Sequence, residues 1–391
     1  MRLIPLFLVL PLFSTAQNTL NFEQFLAIAQ MDAALVQNPN ALDVKFPWID
    51  KYEFRSETND FDWQRQEYTV RISPSIPGIR KAQKQYYEQL KQAPALEELG
   101  DRCEDFLELH DDWISLFTSY KKEEILDEWD SLLNKKLQIA QQMAEAFNLD
   151  PEKLLDIQSE ISDLKLFRSK IKTERDFLID KYQIGNYRLI FDDLISLDSI
   201  KGYLEKIAVQ SQNSSPEIQA LLQEQQMLES EMDLEKSEQR KVVDFLQLKY
   251  NGPNDDPWKE RLSVGLGLQL SNSGSQKLKM QKLQIEQEEL KRKTERKIQR
   301  QQEEIEWLKY KLERNIRVYR EYYAVVEEEI EKQRAYGLKA TQGKNYSPLY
   351  LLTAESKKLK SEMELLKMQE DIFKLYYLLM KENGQLCQHM P

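Results

Sequence analysis

The residues best equipped for chemistry in this sequence are few and widely separated. There are two cysteines, Cys103 and Cys387, and two histidines, His110 and His389. Neither pair has the short spacing of a metal-binding motif. The simplest reading is free thiols and solvated imidazoles, with a disulfide open to the cysteines in an oxidising compartment. Counted at about 1.5 Å per residue from a turn near Asp150, Cys103 lies about 70 Å up one helix and Cys387 about 60 Å up another. The two can therefore sit at similar heights. No Gly-rich phosphate loop and no recognisable Ser/His/Asp set occurs, and the many carboxylates fall on solvent faces of long helices. No catalytic, metal-binding or cofactor-binding residue is expected, and the chain is read as a non-enzyme.

What the spacing does support is interfacial physics. Leu262, Val264, Leu266, Leu268 and Leu270 alternate with Ser263, Gly265, Gly267 and Gln269. This is the cleanest period-two pattern in the chain, and it predicts a strand with one apolar and one small, polar face. In a membrane strand the leucine and valine side would meet lipid and the serine, glycine and glutamine side a lumen. Three shorter patterns share the period: Tyr52 and Phe54; Tyr68, Val70 and Ile72; Leu246, Leu248 and Tyr250. The first two alternate with many charges, which a polar lumen tolerates. Trp48, Trp63, Tyr250 and Trp258 lie near the predicted strand ends. They suit an interfacial belt and core or chance placement about equally.

The elements that position these strands occur twice. In the first half a strand runs into Pro77-Gly78 and a helix opening at Arg80; in the second a strand runs into Ser273-Gly274 and a helix opening at Gln276. The Gly offset is 274 − 78 = 196. Leu149-Asp150-Pro151 followed by Leu154-Leu155 matches Tyr346-Ser347-Pro348 followed by Leu351-Leu352, and 348 − 151 = 197. Two anchors at nearly one offset argue for a duplication. The expected organisation is a signal peptide over 1–16, a first repeat over 17–210 and a second over 211–391. Arg2, the apolar Leu3–Phe13 run and Ser14-Thr15-Ala16 carry the signal reading.

The first repeat should hold a short helix over Thr19–Gln30, broken at Asn38-Pro39-Asn40, then a hairpin turning at Glu57-Thr58-Asn59-Asp60. A helical stretch from about Arg80 to Phe147 should follow, kinked or interrupted by Pro94 and Gly100. The return helix should run from Pro151 to about Tyr182, and a shorter one over Phe191–Ala208. After a polar linker at Ser211–Ser215, the second repeat should hold a helix from Pro216 to Glu238, a hairpin around Asn251–Pro257, and a helix over Gln276–Tyr336. Leu308, Leu312, Ile316, Tyr319, Tyr323, Val326 and Ile330 have coiled-coil spacing there. A last helix should run from Pro348 to about Lys381.

Charged residues make up 31% of the chain and the net charge is −11. That balance argues against nucleic acid as a partner. The basic run Lys291-Arg292-Lys293, Arg296-Lys297 and Arg300, interleaved with Glu, reads as a solvated helix face. No run of about 18 apolar residues exists to form a membrane-crossing helix. Four strands cannot close a barrel, because membrane barrels need about eight or more. Three copies would supply twelve.

Strand pairs feeding long helical hairpins, in two halves after a signal peptide, resemble the TolC-like outer-membrane efflux channel family. Ser215-Pro216-Glu217-Ile218-Gln219-Ala220-Leu221 resembles its helix start. Leu262–Leu270, then Gly274 and a helix, resembles its strand–turn–Gly–helix passage. Gly343–Ala354 resembles its helical tip. The resemblance covers nearly all of the mature chain. It implies a mainly α fold with a small β part: internally duplicated long helical hairpins plus four transmembrane β-strands per chain, forming a trimeric 12-stranded β-barrel with a periplasmic α-helical barrel. It implies a homotrimer in outer-membrane lipid, serving as the passive exit duct of an efflux pump or type I secretion system. A periplasmic adaptor (a membrane fusion protein) and an inner-membrane transporter would be its partners.

The implied adaptor-contact tip comprises Leu149, Asp150, Pro151 and Asp156, with Ser347, Pro348, Leu352 and Thr353. Two features depart from the family pattern. Pro39 breaks the helix before the first strand, and Thr353 stands where the first repeat has the acidic Asp156. The competing reading is a soluble periplasmic coiled-coil scaffold or adaptor whose strands form a small β-domain.

Overall fold

The computed structural model describes residues 19–33, 46–58, 66–146, 151–191, 194–207, 215–252, 257, 259, 261–269, 274–341 and 348–389. The predicted signal, the Pro39 break and most of the 211–215 linker lie outside them. Along the chain run β1 (Thr19–Leu20), α1 (Phe22–Ala33), β2 (Ile49–Thr58), β3 (Gln66–Pro74), α2 (Pro77–Glu145) and α3 (Pro151–Lys181). Then come β4 (Arg188–Leu189), α4 (Leu197–Lys206), α5 (Pro216–Gln239), β5 (Val243–Asn251), β6 (Leu262–Leu268), α6 (Gly274–Thr341), α7 (Pro348–Glu382) and a 3-10 turn at Leu386–His389. The chain is mainly helical with a small β part. The order strand, strand, long helix, return helix occurs twice.

Two compact units emerge, each drawing on both halves of the sequence. Unit 1 comprises 1–37, 105–208 and 306–380; unit 2 comprises 38–104, 209–305 and 381–391. In unit 1, Leu126, Leu133 and Ala140 of α2 meet Ile157, Ile161, Leu164 and Ile171 of α3 and Met363 of α7. The steps of seven, four and three are those of helices packing knobs into holes. Polar links fix the register of this packing. Trp129 Nε1 donates to Ser356 Oγ at 2.9 Å, and Ser356 Oγ donates to Glu160 Oε1 at 3.0 Å. Lys122 Nζ meets Glu370 at 2.7 Å. The coiled-coil stripe of α6 is partly realised. Leu308, Leu312, Ile316 and Val326 are buried, whereas Tyr323 is exposed and stacks on Tyr319.

A second cluster in unit 1 gathers Leu20, Phe25, Trp113, Leu116, Leu178 and Ile184. Here β1 pairs in parallel with β4. Two-residue strands carry no periodicity, so the sequence did not announce them. The helix expected over 191–208 is accordingly shorter, Leu197–Lys206, and Ser196 caps it by accepting from the Ser199 N–H. The first helix starts at Phe22 rather than Thr19. Asn21 and Gln24 exchange side-chain and backbone bonds at its N-terminus, at 3.0 and 3.2 Å. Such reciprocal capping sets a helix start sharply.

The expected interruption at Pro94 and Gly100 is not found: α2 is continuous from Pro77 to Glu145, with Pro94 inside it. An interior proline removes one backbone bond and crowds the carbonyl four residues back. Pro94 and Leu90 both lie on an exposed face, where water can take that carbonyl. Gln223, buried on α5, also braces the site, donating to the Gln89 carbonyl at 3.1 Å and the Gln89 amide oxygen at 2.6 Å. Gly100 does not break the helix either. A Cβ there would lie 3.8 Å from Pro216.

In unit 2, α5 lies along α6 through Leu228, Met232, Leu283 and Leu290. Cys103 and Cys387 form a disulfide, with Cα atoms 5.2 Å apart and 284 residues between them in sequence. The free-thiol reading is therefore replaced. A loop that long gives cross-linking a large entropic leverage, on the order of 5 kcal/mol in the chain-entropy account.

Candidate functional site: a two-faced sheet

Unit 2 holds one four-stranded antiparallel sheet in the order β2-β3-β5-β6. Two sequence-local hairpins are joined through β3 and β5. The helix-linked strand ends lie together at one end of the sheet. Because side chains alternate along each strand and align across registered pairs, the pairing fixes both faces. Across one face run Phe54, Val70, Leu248 and Val264; beside them run Tyr52, Ile72, Leu246 and Leu266. Across the other run Glu53, Arg71, Gln247 and Gly265, with Arg55, Thr69, Lys249 and Ser263 beside them.

Among the described residues nothing covers the apolar face. Val264 is 82% exposed, Phe54 67%, Leu266 57% and Leu248 49%. Soluble monomers rarely leave so continuous an apolar surface in water. Near the hairpin turns the face becomes aromatic: Phe54, Tyr68 and Tyr250 stack in a row, with centroids 6.1 and 6.4 Å apart. Trp48 is exposed with the Arg80 guanidinium 3.9 Å over its ring. Trp63 and Trp258 lie outside the described residues.

The opposite face is knitted by charge. Lys249 pairs with Glu67 at 2.5 Å, and Arg55 with Glu53 at 2.6 Å. Arg71 Nε donates to Gln247 Oε1 at 2.9 Å, and its guanidinium lies 4.7 Å over the Phe245 ring. That ring in turn covers Gly267, where a Cβ would lie 2.7 Å from Phe245 Cδ1. Arg71, Phe245 and Gly267 thus form a layer across three strands. Phe245 carries a signal that alternation alone misses, since it is an aromatic residue on the polar side.

Of the nine residues singled out on the last strand, Leu262, Val264, Leu266 and Leu268 share the exposed apolar face; Ser263, Gly265 and Gly267 share the polar one. The strand is shorter than expected. It ends at Leu268, one pair beyond a bulge between Val243 and Phe245 of β5. Gln269 lies past the strand end, although its N–H still reaches the Val242 carbonyl at 2.8 Å. Leu270 lies outside the described residues.

At the helical turns, Pro151 opens α3 and Pro348 opens α7. Asp156 is exposed, while Thr353 spends its hydroxyl on the Leu349 carbonyl at 2.7 Å. Leu352 is half-buried. Leu149, Asp150 and Ser347 lie outside the described residues.

His110 is not a solvated imidazole. It is buried among Phe22, Phe106 and Tyr377, with Nδ1 2.8 Å from the Phe106 carbonyl oxygen. Burial pushes its pKa down to about 4. The neighbouring Asp111 is pushed up to about 6, chiefly by burial, with Lys374 opposing and Asp112, Glu108 and Glu370 adding. The His389 side chain lies outside the described residues. Among the described residues no group of three or more His, Cys, Asp or Glu could hold a metal, and no helix is long and apolar enough to cross a membrane.

The fold as a whole is shared by solved structures. The chain has the fold of the outer-membrane channels. The VceC outer-membrane protein of Vibrio cholerae matches at a TM-score of 0.63 and 13% identity, over 93% of this chain and 92% of that one. CusC, a structure of transmembrane channel formation, matches at 0.65 and 13%, over 93% and 92%. The CmeC outer-membrane channel of Campylobacter jejuni matches at 0.61 and 12%, over 93% and 81%. No protein-family model and no curated protein matches the sequence.

Proposed function

We propose that this chain is a diverged, internally duplicated member of the TolC-like family and one subunit of a homotrimeric outer-membrane channel. The observation that carries the reading is the sheet. It exposes one continuous apolar face, carries charges on the other, and leaves β2 and β6 as unpaired edges among the described residues. An open edge of this kind invites strand addition. Three copies pooling four strands each make a closed barrel of twelve, with Leu262, Val264, Leu266 and Leu268 toward lipid and Ser263, Gly265, Gly267 and the Arg71 layer toward the lumen. The stacked Phe54, Tyr68 and Tyr250 fit an interfacial aromatic girdle.

The mechanism is passive. A polar lumen admits solutes, and its fixed charges favour some ions over others. The chain would serve as the exit duct of an efflux pump or type I secretion system. The turns before Pro151 and Pro348 would meet a periplasmic adaptor coupled to an inner-membrane transporter, with Asp156 available at the tip. The fold likeness to efflux-type channels supports this reading. Fractionation with planar-bilayer recording tests it. The expected result is recovery only with detergent and discrete conductance steps from the purified protein. Recovery of folded protein in the detergent-free soluble fraction, without conductance, would reject the channel in favour of a periplasmic scaffold.

A further inference from the structure

The polar face of the sheet is not charged evenly. The strand register stacks its side chains in levels, two residues apart along each strand. At the level farthest from the helix-linked ends, Glu57 stands opposite Glu67. One level in, Arg55 and Lys249 flank the neutral Thr69, with Ser263 beyond. The next level holds Glu53, Arg71, Gln247 and Gly265. The last has Lys51 opposite Ser73 and Phe245 opposite Gly267. All four cations therefore lie on the helix side of the Glu57–Glu67 level, with Glu53 as the one carboxylate among them.

Pairing sharpens this asymmetry. Glu67 is neutralised by Lys249 at 2.5 Å, and Glu53 is held by Arg55 at 2.6 Å. Arg71, registered opposite Glu53, instead donates Nε to the neutral Gln247 amide at 2.9 Å and lays its guanidinium over the Phe245 ring. Lys51, Arg71 and Glu57 form no ion pair among the described residues. Lys51 and Glu57 are exposed and Arg71 is half-buried. The charge left over is thus two cations toward the helices and one carboxylate at the opposite end, in a chain whose net charge is −11. The acidic excess lies elsewhere.

The closed barrel gives this layer its reach. Twelve strands about 4.8 Å apart and tilted by about 40° put the backbone about 12 Å from the axis. Side chains project inward from there, so a solute on the axis passes within about 10 Å of the Arg71 level, about one screening length at 0.1 M salt. Three related guanidinium groups at that range suffice for a severalfold bias between ions of opposite sign. Their charge is permanent. Gln247 and Phe245 keep each of them in one layer of the wall.

We propose that Arg71, with Lys51 beside it, is the selectivity-determining residue of the barrel and makes its helix-side lumen favour anionic solutes such as carboxylates, phosphates and sulfonates. The proposal rests on the channel reading, which turns the polar face toward the lumen.

The test is the reversal potential of the purified full-length protein in planar bilayers, under a KCl gradient at about 0.1 M, which gives the chloride-to-potassium permeability ratio. Arg71→Gln should lower that ratio about threefold or more. Arg71→Lys keeps the charge but loses the planar stack, and should hold the ratio near the wild-type value. The difference between wild type and Arg71→Gln should shrink at about 1 M salt, where the screening length is about 3 Å. Lys51→Gln, at an exposed position without an ion pair, should lower the ratio by a smaller factor; it decides the matter if Arg71→Gln gives no conductance steps. A ratio unmoved by Arg71→Gln and Lys51→Gln, or lowered equally by Arg71→Lys, would overturn the proposal while leaving a conducting channel. A wild type without conductance steps would remove the channel reading as well.

Discussion

The two hairpins of the sheet share one face and differ on the other. On the apolar side, β2–β3 offers Tyr52, Phe54, Val70 and Ile72 where β5–β6 offers Leu246, Leu248, Val264 and Leu266. On the polar side β2–β3 carries Lys51, Glu53, Arg55, Glu57, Glu67 and Arg71, while β6 presents Ser263, Gly265 and Gly267. A face in hydrocarbon admits few substitutions; a face toward an aqueous lumen has only to keep its polar groups solvated or paired. The difference teaches where the constraint lies. Bulk on one strand is accommodated by small residues on its neighbour, as Phe245 of β5 lying over Gly267 of β6 illustrates.

The contrast between faces can be broken most severely at Val264. Val264→Arg should cost about 2–4 kcal/mol of barrel stability, whereas Ser263→Arg next to it should cost about 0–1. Urea unfolding in detergent or lipid vesicles checks both. Equal costs would mean that the two faces do not differ in environment.

The contrast between the polar faces is sharpened at the glycines. Gly267→Val has to displace the Phe245 ring and should cost about 1–3 kcal/mol. Gly265→Val meets only ordinary van der Waals contact, 3.5 Å from Gln247 Cβ, and should be nearly neutral. Arg71→Ala removes the guanidinium from Phe245 and its bond to Gln247, for about 1 kcal/mol. The loss should be smaller in the Phe245→Leu background if the stack is the source.

The smallest effect belongs to the helices and marks how little pH should matter away from the sheet. His110 has its folded-state pKa lowered from 6.5 to about 4. The unfolded chain therefore binds that proton first, and stability is lost as pH falls from about 6.5 toward 4. Asp111 has its value raised from 3.8 to about 6. The folded chain binds that proton first, and stability is gained over nearly the same window. The two oppose each other, so the wild-type thermal midpoint should be nearly flat between pH 6.5 and 4.5. His110→Phe should become more stable on acidification, and Asp111→Asn less stable.

Much of this architecture was legible because it depends on patterns. Pro151 and Pro348 marked the starts of α3 and α7, and the Leu262–Leu268 alternation marked β6, since each signal is local and repeated. Other features were decided by tertiary partners. Pro94 stays within a helix because its exposed face lets water reach the freed carbonyl and Gln223 braces the neighbouring turn. The β1–β4 pair exists only because the chain returns beside Leu20. The bulge between Val243 and Phe245 sits on the partner strand β5, so the alternation of 262–268 could not announce it. The Cys103–Cys387 bond needed the end of α7 and α2 to meet, which spacing along single helices could only make permissible. The apolar face was visible strand by strand; its continuity across four strands required the register.

The central claim is that the unpaired edges of β2 and β6 are completed by sister chains. Amide hydrogen exchange of the purified protein in detergent measures this directly. The account predicts that amides on the outer edges of β2 and β6 are as slow to exchange as those in the β3–β5 seam. Slow exchange in the seam with fast exchange along both outer edges would contradict it.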